Sequence, residues 1–341
     1  MSFFDLPHAR RTAFLLAERP YLVADGATGT NLFARGLQTG HAPELWNTEH
    51  PDRVRDLHSC MVEAGADIIL TNSFGGTSHR LKLHGAKERG AELNRAAARL
   101  SRTVADACGR QVLVAGCIGP TGEIMEPVGA LSRDEAVAAF REQALALAEG
   151  GADLLWIESM SSREEAGAAI EGGEAAGLPI VCTMNFDTNG RTMMGLTPEE
   201  TARFYDGCLP PLAACGANCG SGLGDVVAAV ASIAATCDPG RVLVAKANCG
   251  MPEYVDGEIR YTGTPELMVT YGRLARDAGA RIIGGCCGST PAHIAALVDA
   301  LVDHAPGPRP DLDTIEEALG LNRVTPPRDA ATRERRPRRK R

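Results

Sequence analysis

Short apolar runs, many of them rich in β-branched residues, alternate along the chain with longer stretches in which Ala, Leu, Glu and Arg recur at helical spacing. Eight strand candidates follow from this pattern: Tyr21–Asp25, Asp67–Thr71, Val112–Cys117, Asp153–Glu158, Ile180–Met184, Leu212–Ala217, Val242–Lys246 and Arg281–Gly284. The helical period predicts helices over Pro51–Ala64, Glu88–Ala107, Arg133–Glu149, Ser162–Ala176, Pro198–Asp206, Gly224–Ala235, Pro265–Ala278 and Pro291–Val302. Pro198, Pro265 and Pro291 stand where a first helical turn tolerates proline, and Gly65, Gly151 and Gly279 stand where helices end before strands. Strands that are apolar throughout belong in a parallel sheet covered on both faces. Eight βα units in about 300 residues favour a closed (β/α)8 barrel of the TIM type over an open doubly wound sheet. Residues 1–304 are assigned to that barrel. Residues 305–341 are read as a Pro/Arg-rich tail, largely disordered, with a short helix over Asp313–Leu319.

Composition narrows the class. The 341 residues are 44% hydrophobic and 23% charged, which excludes disorder for most of the chain. No apolar run approaches the length of a bilayer span, and the N-terminus lacks a secretory pattern, so a soluble cytoplasmic protein is expected. The net charge of −8 is uneven: residues 328–341 hold eight basic and two acidic side chains, leaving 27 basic against 41 acidic on the rest. An acidic body argues against a nucleic-acid surface, and the basic tail reads as a solvated arm. Eleven cysteines, an odd number without a secretory signal, read as reduced thiols, buried or metal-bound.

Catalytic groups of such barrels sit at the C-terminal ends of the strands. There the chain places Asp25-Gly-Ala-Thr-Gly-Thr, Thr71-Asn-Ser-Phe, Glu158, Asn218-Cys219, Asn248-Cys249 and Cys286-Cys287. The first of these does not match a dinucleotide fingerprint, and no acidic residue ends the second strand to hold a ribose. Cys286 and Cys287 lie among Gly284, Gly285 and Gly288, which let both sulfurs face one point. Cys219 ends a strand two places away. Three thiolates converging there suit zinc and leave its fourth position open, the mark of a catalytic rather than a structural site. The alternative is a set of reduced cysteines in tight glycine-rich turns. A three-thiolate site favours activation of an incoming thiol over activation of water. Asp25 and Glu158 are candidates to bind a substrate ammonium, or else cap the next turn. The amides of the DGATGT turn are candidates for a substrate carboxylate, and Asn248 for an exchangeable oxygen ligand or a loop cap.

DGATGT, TNSFGG, GPTGE, the strand-end Glu158, GANCG and GGCCG, in this order, resemble the homocysteine S-methyltransferase family. The resemblance covers about residues 12–303. Val23–Phe33, PELWN, RLKLHGA and YVDGEIRYTGTPELM look most similar to its bacterial betaine–homocysteine members. It implies Zn2+ held by Cys219, Cys286 and Cys287, with Asn248 as the fourth ligand until substrate arrives. It implies that Asp25 and Glu158 recognise the homocysteine ammonium, and that Gly26, Thr28, Gly29, Thr71, Asn72 and Phe74 line the pocket. The product would be methionine and the leading donor betaine. Two rivals stand beside it: the homocysteine-activating subunit of a split cobalamin-dependent methionine synthase, with a corrinoid protein as partner, and a non-catalytic zinc- or thiol-binding barrel. The positions matching the animal enzymes' aromatic cage are His41, Gly75 and Ser159, so Phe74 would need help from Trp46 or Tyr254. Homo-oligomerisation is left open.

Overall fold

Continuous apolar strands need cover on both faces, and the chain supplies it by closing on itself. The computed structural model describes residues 2–250, 252–255 and 258–322. Its strands are β1 (Leu22–Val23), β2 (Ile68–Leu70), β3 (Leu113–Ile118), β4 (Leu154–Met160), β5 (Ile180–Met184), β6 (Ala214–Cys219), β7 (Leu243–Ala247), β8 (Pro252–Val255), β9 (Glu258–Tyr261) and β10 (Ala280–Gly285). Eight of them form one parallel sheet in the order β1-β10-β7-β6-β5-β4-β3-β2, with β8 and β9 apart as an antiparallel pair. The first and last members meet at an Ala24–Ile68 bridge, where Asp25 N donates to Ile68 O at 2.9 Å and Asp67 N to Val23 O at 2.7 Å. The sheet is therefore the expected (β/α)8 barrel.

Alternation along the strands sorts two cores. Leu22, Ala24, Ile68, Leu70, Leu113, Ala115, Leu154, Trp156, Val181, Ala214, Val244 and Ile282 fill the barrel's interior. Their neighbours, such as Val23, Ile69, Leu155, Cys182 and Ile283, join the layer between sheet and helices. Phe3 and Leu15 belong to the interior set and plug its lower end. Leu15 comes from a helix, His8–Glu18, that the apolar pattern did not predict because charges interrupt it. The helices Arg133–Glu149, Pro198–Asp206 and Pro291–Val302 have the predicted limits. Ser132 and Thr197 cap the first two, each accepting from the amide three residues on.

Two expectations need correcting. Leu212–Ala217 is shifted: β6 runs Ala214–Cys219 and carries Asn218 and Cys219 inside the sheet. The segment after 304, assigned with the tail, is in part packed on the barrel: the helix Leu312–Leu319 buries Ile315 against the helices Leu223–Thr236 and Pro265–Asp277. Gly320 then abuts Gly224, where a side chain would collide with its carbonyl, and Asn322 N donates to Asp225 Oδ1 at 3.2 Å. Residues 323–341, with most of the basic tail, lie outside the described residues. Among the described residues no helix is long and apolar enough to cross a membrane.

Candidate metal centre and active site

Inward alternation continues to the upper rim, and there it delivers polar groups. On β3 and β4 the inward positions end at Cys117 and Glu158, and on β7 at Lys246. Asp25 follows β1. All four are buried. Asp25 Oδ2 accepts from Leu70 N at 2.8 Å, and Lys246 Nζ lies 3.8 Å from Oδ1. Glu158 Oε1 accepts from Cys117 Sγ at 3.3 Å. Asp25 Oδ1 and Glu158 Oε2 have no hydrogen-bond partner among the described residues. A buried carboxylate oxygen without a hydrogen-bond partner is costly, and the cation that faces these two groups is the buried Lys246.

The electrostatics agree. Burial pushes the Asp25 carboxyl up to about 7, against the pull of Lys246 and the Leu70 amide. Burial raises Glu158 as well. Burial would discharge Lys246, but Glu158, Cys286 and Asp25 hold it charged, above its ordinary value. Lys246 is not among the site residues expected from the sequence. Its signal was available: a cation closing the apolar run VLVAK at the end of the strand where barrel chemistry resides.

The thiols meet one level higher. The sulfurs of Cys219, Cys286 and Cys287 lie within 4.8 Å of one another. Cys286 keeps the inward parity of β10. Cys219 has the outward parity of β6, and a left-handed backbone, φ 64°, re-aims it. That conformation is strained for a residue with a Cβ and is held by neighbours: Asn248 N donates to Cys219 O at 3.0 Å, and Gly220 N to Asn185 Oδ1 at 2.9 Å. Asn248 joins the two halves. Its Oδ1 accepts from Cys287 N at 3.0 Å and from Cys219 Sγ at 3.3 Å, while its amide donates to Gly220 O at 2.8 Å. The neighbouring Cys219 and Cys286 thiols hold Cys287 below the usual thiol range.

The cluster fits a metal. Zinc–sulfur bonds of about 2.3 Å set tetrahedral sulfurs roughly 3.8 Å apart, within the spread seen here. Asn248 Oδ1 is placed to serve as a further oxygen donor.

The other predicted residues divide. Gly26 packs on the Cys286–Ser289 turn so closely that a Cβ would stand 2.7 Å from Ser289 O. Ala27 N donates to that same carbonyl at 3.1 Å, so the DGATGT turn and the thiol turn are one unit. Thr28 and Gly29 are half-buried at the start of the helix Gly29–Phe33. Thr71 Oγ1 accepts from Cys117 N at 2.9 Å, and Asn72 donates to Pro43 O and Asn47 Oδ1. These two side chains hold the scaffold. Phe74 remains partly exposed, its ring against Gly119.

Of the proposed cage replacements, Trp46 is buried against Arg53 and His50, so it offers no face to a ligand. The side chain of Tyr254 lies outside the described residues. His41 is exposed, Gly75 N donates to Glu44 Oε1 at 2.6 Å, and Ser159 adopts φ 62° with its hydroxyl bound by Asn218.

Fold and site together define a (β/α)8 barrel with a three-thiol cluster and two buried carboxylates, each with one oxygen lacking a hydrogen-bond partner among the described residues, at the C-terminal end of its strands. The chain belongs to the homocysteine S-methyltransferase family, whose sequence profile matches residues 22–301. Among solved structures it is similar to the homocysteine methyltransferase MmuM from Escherichia coli. The metallated form is 27% identical with a TM-score of 0.69, covering 83% of this chain and 97% of that one. The oxidized form is 28% identical with a TM-score of 0.68, covering 84% and 97%.

Proposed function

We propose that this protein is a zinc-dependent methyltransferase that moves a methyl group to the thiol of homocysteine and so forms methionine. The family and the MmuM relationship support the acceptor. The observation that carries the reading is the cluster of Cys219, Cys286 and Cys287 close to two buried carboxylates, each with one oxygen lacking a hydrogen-bond partner among the described residues.

Zinc held by the three cysteines would keep the substrate sulfur deprotonated, and therefore nucleophilic, at neutral pH. The protein does the rest. Asp25 Oδ1 and Glu158 Oε2 take the homocysteine ammonium, which fixes the amino acid end and directs its thiol toward the cysteines. Lys246 balances one of the two carboxylates, so the niche is matched to a single added positive charge. Asn248 Oδ1, beside Cys219 Sγ and Cys287 N, would complete the donor set of that zinc in the absence of substrate. The substrate sulfur gains the methyl group, and the donor atom keeps the bonding pair.

Betaine is the leading donor on sequence resemblance. The replaced cage positions and the buried Trp46 favour a second reading, in which another onium compound or a methylated corrinoid protein donates. The deciding experiment incubates zinc-loaded protein with homocysteine and one donor at a time: betaine, dimethylsulfonium compounds, S-methylmethionine or methylcobalamin. Methionine is scored by mass spectrometry. Turnover with betaine supports the first reading, and turnover only with a sulfonium donor or with methylcobalamin the second. A protein that binds zinc but forms no methionine with any donor is the inert metal-binding barrel instead.

A further inference from the structure

Inward positions on β3 and β4 bring a thiol against a carboxylate. Leu113, Ala115 and Cys117 alternate into the barrel interior, and Cys117 is in register with Trp156, one inward step below Glu158. Cys117 Sγ donates to Glu158 Oε1 at 3.3 Å, and both side chains are buried. Glu158 Oε2 has no hydrogen-bond partner among the described residues. The two oxygens of this carboxylate are therefore unequal: one is tied to the protein and the other is left over.

The sulfur is itself held in place. Cys117 N donates to Thr71 Oγ1 at 2.9 Å, and Ser73 Oγ donates to Cys117 O at 2.7 Å. Thr71 Oγ1 and Ser73 Oγ lie 2.6 Å apart, and Gln143 Nε2 donates to Ser73 O at 2.7 Å. The segment after β2 thus clamps Cys117 through both of its backbone polar groups. Burial, together with the Glu158 charge, pushes the Cys117 thiol well above its usual range, so the proton stays on sulfur. A thiol is a weak donor, and it orients a carboxylate without neutralising it.

We propose that Cys117 is a positioning residue for the acceptor amino acid: its thiol holds Glu158 Oε1, which fixes the carboxylate plane and presents Oε2 to the homocysteine ammonium. The proposal rests on the homocysteine reading above and deepens it. A group whose orientation is fixed before the ligand arrives loses less freedom on binding, and the difference appears as affinity. The effect is confined to the amino end of the substrate.

Calorimetry on the zinc-loaded protein tests this by comparing homocysteine with its desamino analogue, the same thiol acid without the amino group. Wild type should prefer homocysteine. Cys117→Ala and Cys117→Val remove the donor, the second without loss of volume, and melting temperatures show which variants are folded. Each should bind homocysteine about fivefold more weakly, the effect of losing one neutral hydrogen bond. Their affinity for the desamino analogue should not change. Cys117→Ser keeps a donor and should stay within about twofold of wild type for both ligands. Equal weakening of both ligands in Cys117→Ala and Cys117→Val, or no weakening, would overturn the role of Cys117 and leave homocysteine as the acceptor. Cys117→Ser as weak as Cys117→Ala would overturn the hydrogen bond. A wild type that binds both thiols equally, or neither, overturns the reading on which the proposal rests.

Discussion

The two ends of β4 hold acidic residues of opposite character. Just below the strand, Asp153 is fully buried and fully engaged: it accepts from Arg102 at 2.8 Å, Arg11 at 3.3 Å and Val114 N at 2.8 Å, with His8 at 2.6 Å. Five residues on, Glu158 is buried with one oxygen left over. The same contrast separates Asp67, bound by Arg19 and Val23 N below β2, from Asp25 above β1. The lower charges are neutralised within the chain and so close the barrel. The upper ones share the single cation Lys246, and each keeps one oxygen without a hydrogen-bond partner among the described residues. Burial alone does not distinguish them; the count of satisfied oxygens does.

The largest expected effect removes the upper end's chemistry altogether. Cys286→Ala leaves two sulfurs, and elemental analysis should find the zinc gone and methionine formation lost. Retention of either would detach the thiol cluster from the reaction.

Next comes the contrast itself. Asp153→Asn strands two arginines on a buried site, a change that costs about 3–5 kcal/mol when one partner of such a pair is removed. Its urea midpoint should fall, while homocysteine affinity of the folded protein stays. Asp25→Asn should do the reverse. Stability should hold, because an incompletely paired charge has been removed. Homocysteine affinity measured by calorimetry should drop roughly 30- to 150-fold, the effect of losing a charged hydrogen bond worth about 2–3 kcal/mol. If Asp25→Asn unfolds the barrel and Asp153→Asn weakens substrate binding, the two ends have been assigned the wrong way round.

A titration sharpens the same point. The Asp25 carboxyl rises from 3.8 to about 7 on folding, so the native state holds that proton more tightly than the unfolded chain. Its contribution to stability is fully present below 3.8 and is lost as pH rises through about 7. Urea midpoints between pH 5 and pH 8 should therefore decline more in the wild type than in Asp25→Asn. Substrate affinity runs the other way. Only the ionised carboxylate attracts an ammonium, so homocysteine should bind more tightly across the same interval. Parallel pH profiles of stability in the two proteins would remove Asp25 from the account.

These charges differ in how legible they are in the sequence. Strand ends rich in Asp, Glu, Asn and Cys point to the mouth because apolar strands and helical spacing locate a barrel, and the barrel locates its active end. Ile180–Met184 coincides with β5 for that reason. The β8–β9 hairpin was missed although Asp256-Gly257 stands between YV and EIRY, a pairing that signals a hairpin turn. The pair stands outside the eight-fold βα repeat. Lys246 was absorbed into its strand. Cys219 was placed beyond the end of its strand, whereas its re-aimed thiol depends on a left-handed backbone that spacing does not reveal. Nor does a linear reading disclose that Asn72 spends its amide on the scaffold while Asp25 keeps one oxygen without a hydrogen-bond partner among the described residues, since both follow strands and both are polar.

The smallest effect concerns Asn248, which bridges the fixed and the exchangeable parts of the mouth. Its amide nitrogen and Nδ2 tie the Cys219 turn to β7, while its Oδ1 lies between Cys219 Sγ and Cys287 N. If that oxygen serves the metal only until substrate arrives, Asn248→Ala should weaken zinc retention about tenfold without homocysteine, equivalent to about 1.4 kcal/mol. With saturating homocysteine the difference should shrink toward zero, because the substrate sulfur occupies the same corner. Competition against a chelator, with and without homocysteine, reads both numbers. Equal zinc loss in the two conditions would mean that Asn248 belongs to the scaffold, with Asp153 and Asp67, rather than to the part of the mouth that exchanges.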